Sequence, residues 1–441
     1  GRGRARLTRG RRVYQGDSRT RDEAVGRAAL ESARDLVMAA INDTPYDIGA
    51  TIAKLTDMVD RRCLGPSTAC IVDAATERGI PHLRLNDGNL VQLGYGASQR
   101  RIWTAHTDRT GALAEGISRD KDLTKQLLAA AGVPVPEGRT VESAEAAWDA
   151  AEDIGLPVVV KPSDGNHARG VSLNLKTREE VMQAFVAAEA EGSEVIVESF
   201  IAGQEHRLLV VGGKVAAATR GEIIRVGGDG KSTIAQLIET QVNTDPRRGE
   251  EETLPLETLR VDDPVLLLLL QRQSLTPQSV LPRGQSAVVQ RTGNMAIDVT
   301  GQVHPDIAEQ MALAARVVGL DIAGIDLVVE DIAKPLAPQG GAIVEVNAGP
   351  GLLMHLKPAV GRAQPVGEAI VEHLFPGHES GRVPIVGLIG DGQSALAPRL
   401  IAALLQLNGQ QTALACRDGL FLGARQLQKT DARGMDAGER M

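Results

Sequence analysis

Leu156-Pro157-Val158-Val159-Val160-Lys161-Pro162-Ser163-Asp164-Gly165-Asn166-His167-Ala168-Arg169-Gly170 is the stretch on which the reading of the fold turns. Consecutive valines running into a lysine predict a short, β-branched strand that ends in an ammonium group. Polar, turn-prone residues follow, and the chain returns as a strand over 171–175. A strand-end lysine beside a flexible loop can reach a phosphate and cancel its charge. Gly165 and Gly170 let backbone N–H groups approach phosphate oxygens. An ordinary hairpin turn with surface lysines has the same local composition, so the stretch alone leaves both readings open.

Upstream, a helix is expected over 120–131, with Lys121 at its start, Gly132 at its stop and Pro134 and Pro136 beyond. Another helix is expected over 144–154, closed by Gly155. Downstream, a helix over 179–190 and a strand over 194–197 lead into Glu198-Ser199-Phe200-Ile201, with Gly203 and Glu205 just after. An apolar hinge with free backbone groups can hold an adenine, and a carboxylate a few residues on can bind ribose hydroxyls. A plain strand exit with exposed acids would look the same. Residues 207–211 and 215–225 read as a hairpin around Gly212-Gly213. Residues 241–293 are poorly periodic, which suits a mobile or inserted segment. After a long helix over 304–320, strands over 324–329 and 341–347 each carry an acid. Glu345 and Asn347 are two apart on one strand and share a face. Asp326 on a neighbouring strand would complete a set of hard oxygen ligands that suits Mg²⁺. Charges inside apolar strands are costly unless paired or metal-bound, so a buried ion pair is the alternative.

The composition narrows the function classes. The chain has 441 residues, 43% hydrophobic and 24% charged, with a net charge of −8 and a pI near 5.6. Two to four domains are expected at roughly 100–200 residues each. An acidic balance argues against general nucleic-acid binding, and 2% aromatics argue against base-stacking platforms. The leucine run 266–270 is far short of the ~20 residues needed to span a bilayer. Cys63, Cys70 and Cys416 lack both a disulfide framework and zinc spacing, which suits buried thiols in a reducing cytoplasm. No apolar stretch follows the basic start, so no signal peptide is read there. The arginines among the first dozen residues read as a solvated segment or as a docking surface for an acidic partner. Helices over 22–41 and 48–59, a break at Gly65-Pro66-Ser67-Thr68 with Ser67 or Thr68 as the cap of a further helix, and a strand and turn over 81–93 make residues 1–115 a small α/β domain.

The order of these sets, lysine, strand lysine, Gly-rich loop, Glu-x-x-Ile hinge, Asp and Glu-x-Asn, resembles the ATP-grasp fold. The resemblance sharpens at Gly65-Pro66-Ser67-Thr68, Leu93-Gly94-Tyr95-Gly96 through Gln99-Arg100-Arg101, Thr107-Asp108-Arg109-Thr110, the Lys161–His167 stretch and Gly340-Gly341-Ala342-Ile343-Val344-Glu345-Val346-Asn347. These resemble the cyanophycin synthetases over about residues 20–415. That resemblance implies an α/β chain with an N-terminal domain over 1–115, an ATP-grasp domain over 116–378 and a truncated P-loop-like, Mur-ligase-like part over 379–441. It implies ATP and Mg²⁺ as cofactors. The implied nucleotide site is Lys121, Lys161, Ser163, Gly165, Asn166, Gly170, Glu198, Phe200, Ile201 and Glu205, and the implied metal set is Asp326, Glu345 and Asn347. Arg207 would stabilise the acyl phosphate and the tetrahedral intermediate, unless it forms a surface pair with Glu205. His167 would contact the polymer end or phosphate. Ser67 and Glu115 match positions that bind the polymer terminus, although Ser67 could equally be a plain helix cap. The implied partners are the cyanophycin polymer, with its aspartate backbone and arginine branches, and a second copy of the chain (a dimer or a multiple of one). Nucleic acid and membrane are not among them.

Some features depart from the family's common form. Residues 384–389 read as a strand, and Gly387-x-x-x-x-Gly392 looks like a P-loop frame, yet Gln393 stands where the phosphate-binding lysine belongs. Only 25 residues follow Cys416, and they look like a polar tail. A helix over 399–407 and a strand over 412–416 would remain as packing elements. This pattern resembles the second type of cyanophycin synthetase, which joins ready-made β-aspartyl-arginine dipeptides at one working site. Arg291-Thr292-Gly293-Asn294 runs directly into Met295-Ala296-Ile297-Asp298, without the family's glycine-rich segment, and part of the family's N-terminal domain is missing at the start. The rival readings are another carboxylate–amine ligase, of the D-alanine–D-alanine or glutathione kind, and a catalytically dead scaffold that binds nucleotide or polymer.

Overall fold

The computed structural model describes residues 3–7, 14–18, 20–163, 170–191, 194–249, 254–291, 295–389 and 396–433, with backbone alone at 3–7, 14–18 and 295–296. Two antiparallel sheets frame the interior. The smaller runs in the order Gly138–Val141, Val195–Ser199, Val158–Pro162, Ser172–Leu175. The larger runs Met295–Asp298, Lys214–Gly221, Gln204–Val211, Ile322–Val329, Ala342–Ala348.

Helices Ala144–Ile154 and Arg178–Glu189 cover the smaller sheet. Their inward positions are mostly alanine: Ala147, Ala150, Ala151, Ala184 and Ala188 are fully buried, and small side chains let the helix axes approach the strands closely. Both helices start on side-chain caps, Ser143 to the Ala146 N–H and a Thr177–Glu180 capping box. Helix Pro305–Val318 lies on the larger sheet through Ile307, Met311, Ala314, Ala315 and Val318. It begins where His304 Nδ1 accepts from the Asp306 N–H at 3.1 Å and stops at Gly319 in the left-handed region (φ 86°).

The N-terminal part shares a core with the larger sheet. Helices Pro66–Glu77 and Val366–Leu374 pack together, and one apolar cluster joins Ile71, Val91 and Ile102 to Leu209, Val211 and Ile322. The Thr107–Thr110 motif has a physical role in that union. Asp321 accepts 2.6 Å from Thr107 Oγ1 and 2.8 Å from Thr110 Oγ1, which fastens the N-terminal hairpin to the entry of Ile322–Val329.

Several expectations are corrected. The helix after Gly65 is capped by the Gly65 backbone with Pro66 in its first turn, so neither Ser67 nor Thr68 is the N-cap. Of the two readings of the poorly periodic 241–293 region, mobile or inserted, its described residues fit the second, and they fold together with residues 224–238. Ile224–Gly227 pairs with Ser286–Gln290, and Ile234, Leu237, Ile238, Leu266 and Leu270 form its own core. Residues 384–389 form no strand; Ile385, Val386 and Ile389 are exposed. The segment after Cys416 is not a polar tail throughout. Ala413–Cys416, Gly419–Leu422 and Arg425–Gln428 make a three-stranded meander, with Arg399 over the Phe421 ring at 5.1 Å.

Candidate active site

The register of the larger sheet sets the site. Thr219 lies opposite Arg207, Arg207 opposite Asp326, and Asp326 opposite Glu345, so one row crosses four adjacent strands with its side chains on one face. Arg207 grips Asp326 with both arms of its guanidinium: Nη2 donates to Oδ2 at 2.8 Å, and Nε donates to Oδ1. Asn347, two residues beyond Glu345, brings Nδ2 to 3.5 Å from the same Oδ2. The smaller sheet and the helix Lys121–Ala130 supply the cations. Lys121 Nζ is 3.2 Å from Glu345 Oε1, and Lys161 Nζ is 3.0 Å from Glu198 Oε2.

Lys121, Lys161, Glu198, Phe200, Ile201, Glu205, Arg207, Asp326, Glu345 and Asn347 line one cleft of about 980 Å³ between the two sheets. Residues that sequence spacing could only list are therefore gathered at one place. Gly203 lets the hinge pass over Val329, where a Cβ would meet the Val329 carbonyl carbon at 2.4 Å in a backbone at φ 138°. Gly349 (φ 57°) turns the chain over the His106 ring just after Asn347, and a Cβ there would lie 2.1 Å from Cε1.

Burial shapes the charges. Desolvation pushes Lys161 down to about 8, with Lys121 adding to the effect and Glu345 opposing it. Desolvation also raises the Asp326 carboxyl, although Arg207 pulls the other way. Burial opposes the charge of Glu345, yet Lys121, Lys161 and Arg207 hold its carboxyl below the usual range. Burial likewise opposes the Arg207 charge, but Asp326 beside it keeps the guanidinium above its ordinary value.

The remaining candidates divide. Ser163 follows Lys161 by two residues, with its N–H bound to the Glu194 carbonyl at 2.9 Å; Ser163 itself is not among the cleft's lining residues. Gly170 is buried at φ 68°, against Pro162. Gly165, Asn166 and His167 lie outside the described residues, as do Gly392 and Gln393. Ser67 Oγ accepts from the Leu352 N–H at 3.1 Å, so it ties the Gly349–Pro350–Gly351 rim of the cleft to the N-terminal domain. The Glu115 carboxylate is taken by Arg119 at 2.6 Å on its own helix, and Glu115 is not brought to the cleft.

Sequence reasoning missed Lys125, a turn beyond Lys121 on the same helix. Its ammonium contacts Glu198, and burial, with Lys161 and Lys121 nearby, pushes it down to about 5. The i, i+4 spacing of Lys121 and Lys125 was the available signal. Also missed were Arg272 and Arg291, with which the insertion walls the cleft. Arg272 docks the insertion through the Leu173 and Asn174 carbonyls, both at 2.6 Å, and Glu180 at 3.0 Å.

The metal set can be tested on its chemistry. Among the described residues no group of three or more His, Cys, Asp and Glu gathers as a metal site. Two carboxylates and one amide are what Asp326, Glu345 and Asn347 offer, all through oxygen. That donor set fits an ion of the Mg²⁺ kind, which takes its other ligands from water and phosphate.

Comparison with known proteins places the chain. A family model described as an ATP-grasp domain matches residues 112–233. Cyanophycin synthetase of Trichormus variabilis is 37% identical over 98% of this chain and 49% of its own length. That of a Synechocystis strain is 36% identical over 94% and 48%. The glutathione biosynthesis bifunctional protein of Streptococcus thermophilus is 33% identical over 58% and 35%. Among solved structures, a bifunctional glutathione synthetase from Pasteurella multocida matches at 24% identity and a TM-score of 0.49, covering 74% of this chain and 46% of that one. The chain spans about half the length of the cyanophycin synthetases it matches. It carries an ATP-grasp domain and is, across nearly all of its own length, a sequence relative of the cyanophycin synthetases.

Proposed function

We propose that the chain is an ATP-dependent carboxylate–amine ligase that polymerises β-aspartyl-arginine dipeptides into cyanophycin. The observation that carries this reading is the Arg207–Asp326–Glu345 row facing Lys121, Lys161 and the apolar hinge across a single cleft. Phe200 and Ile201 would take the adenine, and Glu205 the ribose hydroxyls. Lys121 and Lys161 would hold the phosphates, with the loop from Ser163 through Gly165, Asn166 and His167 to Gly170 closing over them. The polymer's C-terminal carboxylate attacks the γ-phosphate and becomes an acyl phosphate, with ADP as leaving group. The α-amine of the incoming dipeptide then displaces phosphate and forms the amide. Arg207 would place fixed positive charge where the acyl phosphate and the tetrahedral oxygen develop negative charge. Asp326, Glu345 and Asn347 would hold Mg²⁺, which supplies charge neutralisation at the phosphate oxygens when bound. Ser67 would meet the polymer end at the rim of the cleft. The choice of dipeptide over free aspartate rests on Gln393, an amide that cannot supply the charge a second nucleotide site needs.

A phosphate-release assay tests the reading. Primer plus β-aspartyl-arginine should release phosphate; primer plus aspartate and arginine should not. Turnover with free aspartate and arginine would overturn the dipeptide assignment. Turnover only with D-alanine, or with γ-glutamylcysteine and glycine, would assign the site to another ligase. ATP binding without turnover in any mixture would make the chain a scaffold.

A further inference from the structure

Glu198 is the most deeply buried carboxylate at the cleft, with its side chain 3% exposed, and it holds a lysine on each oxygen. Lys161 Nζ reaches Oε2 at 3.0 Å, and Lys125 Nζ contacts Oε1. The lysines come from different elements, the strand Val158–Pro162 and the helix Lys121–Ala130. Their positions differ too. Lys161 lines the main cleft, whereas Lys125 is not among its lining residues and borders a side cavity of about 10 Å³ with Thr124, Leu128 and Ile343.

Lys161 faces a conflict. Under the proposed function its ammonium binds phosphate, yet here it is committed to Glu198. Moving to phosphate would strip Glu198 of that partner, and a carboxylate left alone in the interior is costly. A second donor fixed on the other oxygen removes that obstacle.

We propose that Lys125 is a positioning residue: it is the standing partner of Glu198 and so leaves Lys161 free to move onto the phosphates of the nucleotide. The inference rests on the reading of the cleft as an ATP site. It stands on the placement of Lys125 Nζ against Oε1, opposite Lys161. Lys121, one turn earlier, keeps a separate task through Glu345. Without Lys125, Lys161 stays on Glu198 and the phosphates lose a cation. If Glu198 is also made neutral, Lys161 has no reason to stay.

The test is ATP binding by calorimetry, with thermal unfolding alongside, for the intact chain and for Lys125→Met, Glu198→Gln and the double variant. Lys125→Met is expected to weaken ATP binding at least about tenfold, an effect of ~1.4 kcal/mol. The double variant is expected to bind about as tightly as Glu198→Gln alone. Native-like affinity in Lys125→Met, or a double variant that loses the same factor relative to Glu198→Gln, would overturn the proposal. Should Lys125→Met alone fail to fold, the comparison of Glu198→Gln with the double variant carries the test by itself. Failure of the unsubstituted chain to bind ATP is a different result; it would overturn the reading of the cleft itself.

Discussion

Glu345 stands beside Asp326 across a strand pair and pairs with Lys121 of the helix Lys121–Ala130, so one carboxylate links the acidic row to a cleft lysine. Glu345→Gln keeps the shape and removes that charge. It is expected to cut kcat by on the order of 10²-fold or more while the circular-dichroism spectrum stays native; near-native turnover with unchanged Mg²⁺ dependence would place the metal elsewhere. Lys161 gives a pH signature. With its ordinary value of 10.5 lowered to about 8, it carries charge below pH 8 and loses it above. ATP affinity should therefore fall as pH rises through about 8. The stability of the nucleotide-free protein should move the other way, rising between about 8 and 10.5, because there the unfolded chain binds the extra proton. Calorimetric titration and denaturant unfolding at pH 7, 8 and 9 read both slopes. At this scale Lys161, Asp326, Glu345 and Asn347 were legible because charged residues stand out inside apolar strands. The partners were not legible. Arg207 pairs with Asp326 rather than with Glu205, and register decides that, not sequence distance.

The strand Gln204–Val211 shows how an element separates two tasks by alternation. Glu205 and Arg207 face the cleft, while His206 is buried on the opposite face, as are Leu208 and Val210 in the core there. Desolvation lowers His206 from 6.5 to about 4, and likewise lowers His355, on the short helix Leu353–Leu356, to about 3. Each unfolded imidazole takes its proton first as the pH falls. Stability is thus full above about 6.5 and declines toward pH 4, steepened by both residues. His206→Gln is expected to flatten that decline in urea midpoints measured from pH 7 to 4; an unchanged slope would show that His206 titrates normally. Most elements were legible from local signals, the closure of the helix over 144–154 by Gly155 among them. The insertion was not, because its order comes from distant contacts. Arg272 crosses to Leu173 and Asn174, and Arg248 reaches the Glu257 carbonyl and Gln290. The turn at Asp418 hid a meander whose strands alternate too briefly to declare themselves.

At the scale of the whole molecule, the smaller sheet and the helix Lys121–Ala130 bring Lys161 and Lys121 to the cleft, and the larger sheet brings Asp326 and Glu345. The Thr107–Asp321–Thr110 network ties the N-terminal domain to the carboxylate side. Ser67, bonded to Leu352 at the rim, therefore sits against a cleft whose geometry is fixed by both parts. The ATP-grasp order could be read along the chain, since it rests on motif succession. The closeness of N-terminal domain and larger sheet could not, since the shared cluster joins residues 71 and 322. The central claim is that a carboxylate is activated in this cleft by the γ-phosphate of ATP. Its most direct test is mass spectrometry of the phosphate released when primer labelled with ¹⁸O in its C-terminal carboxylate, in large excess over β-aspartyl-arginine, is extended by a single dipeptide. An acyl phosphate must carry a carboxylate oxygen away with the phosphoryl group. One labelled oxygen in each released phosphate, one for each amide bond made, is the expected result. Amide formation with unlabelled phosphate, or with release of AMP and pyrophosphate, would contradict it.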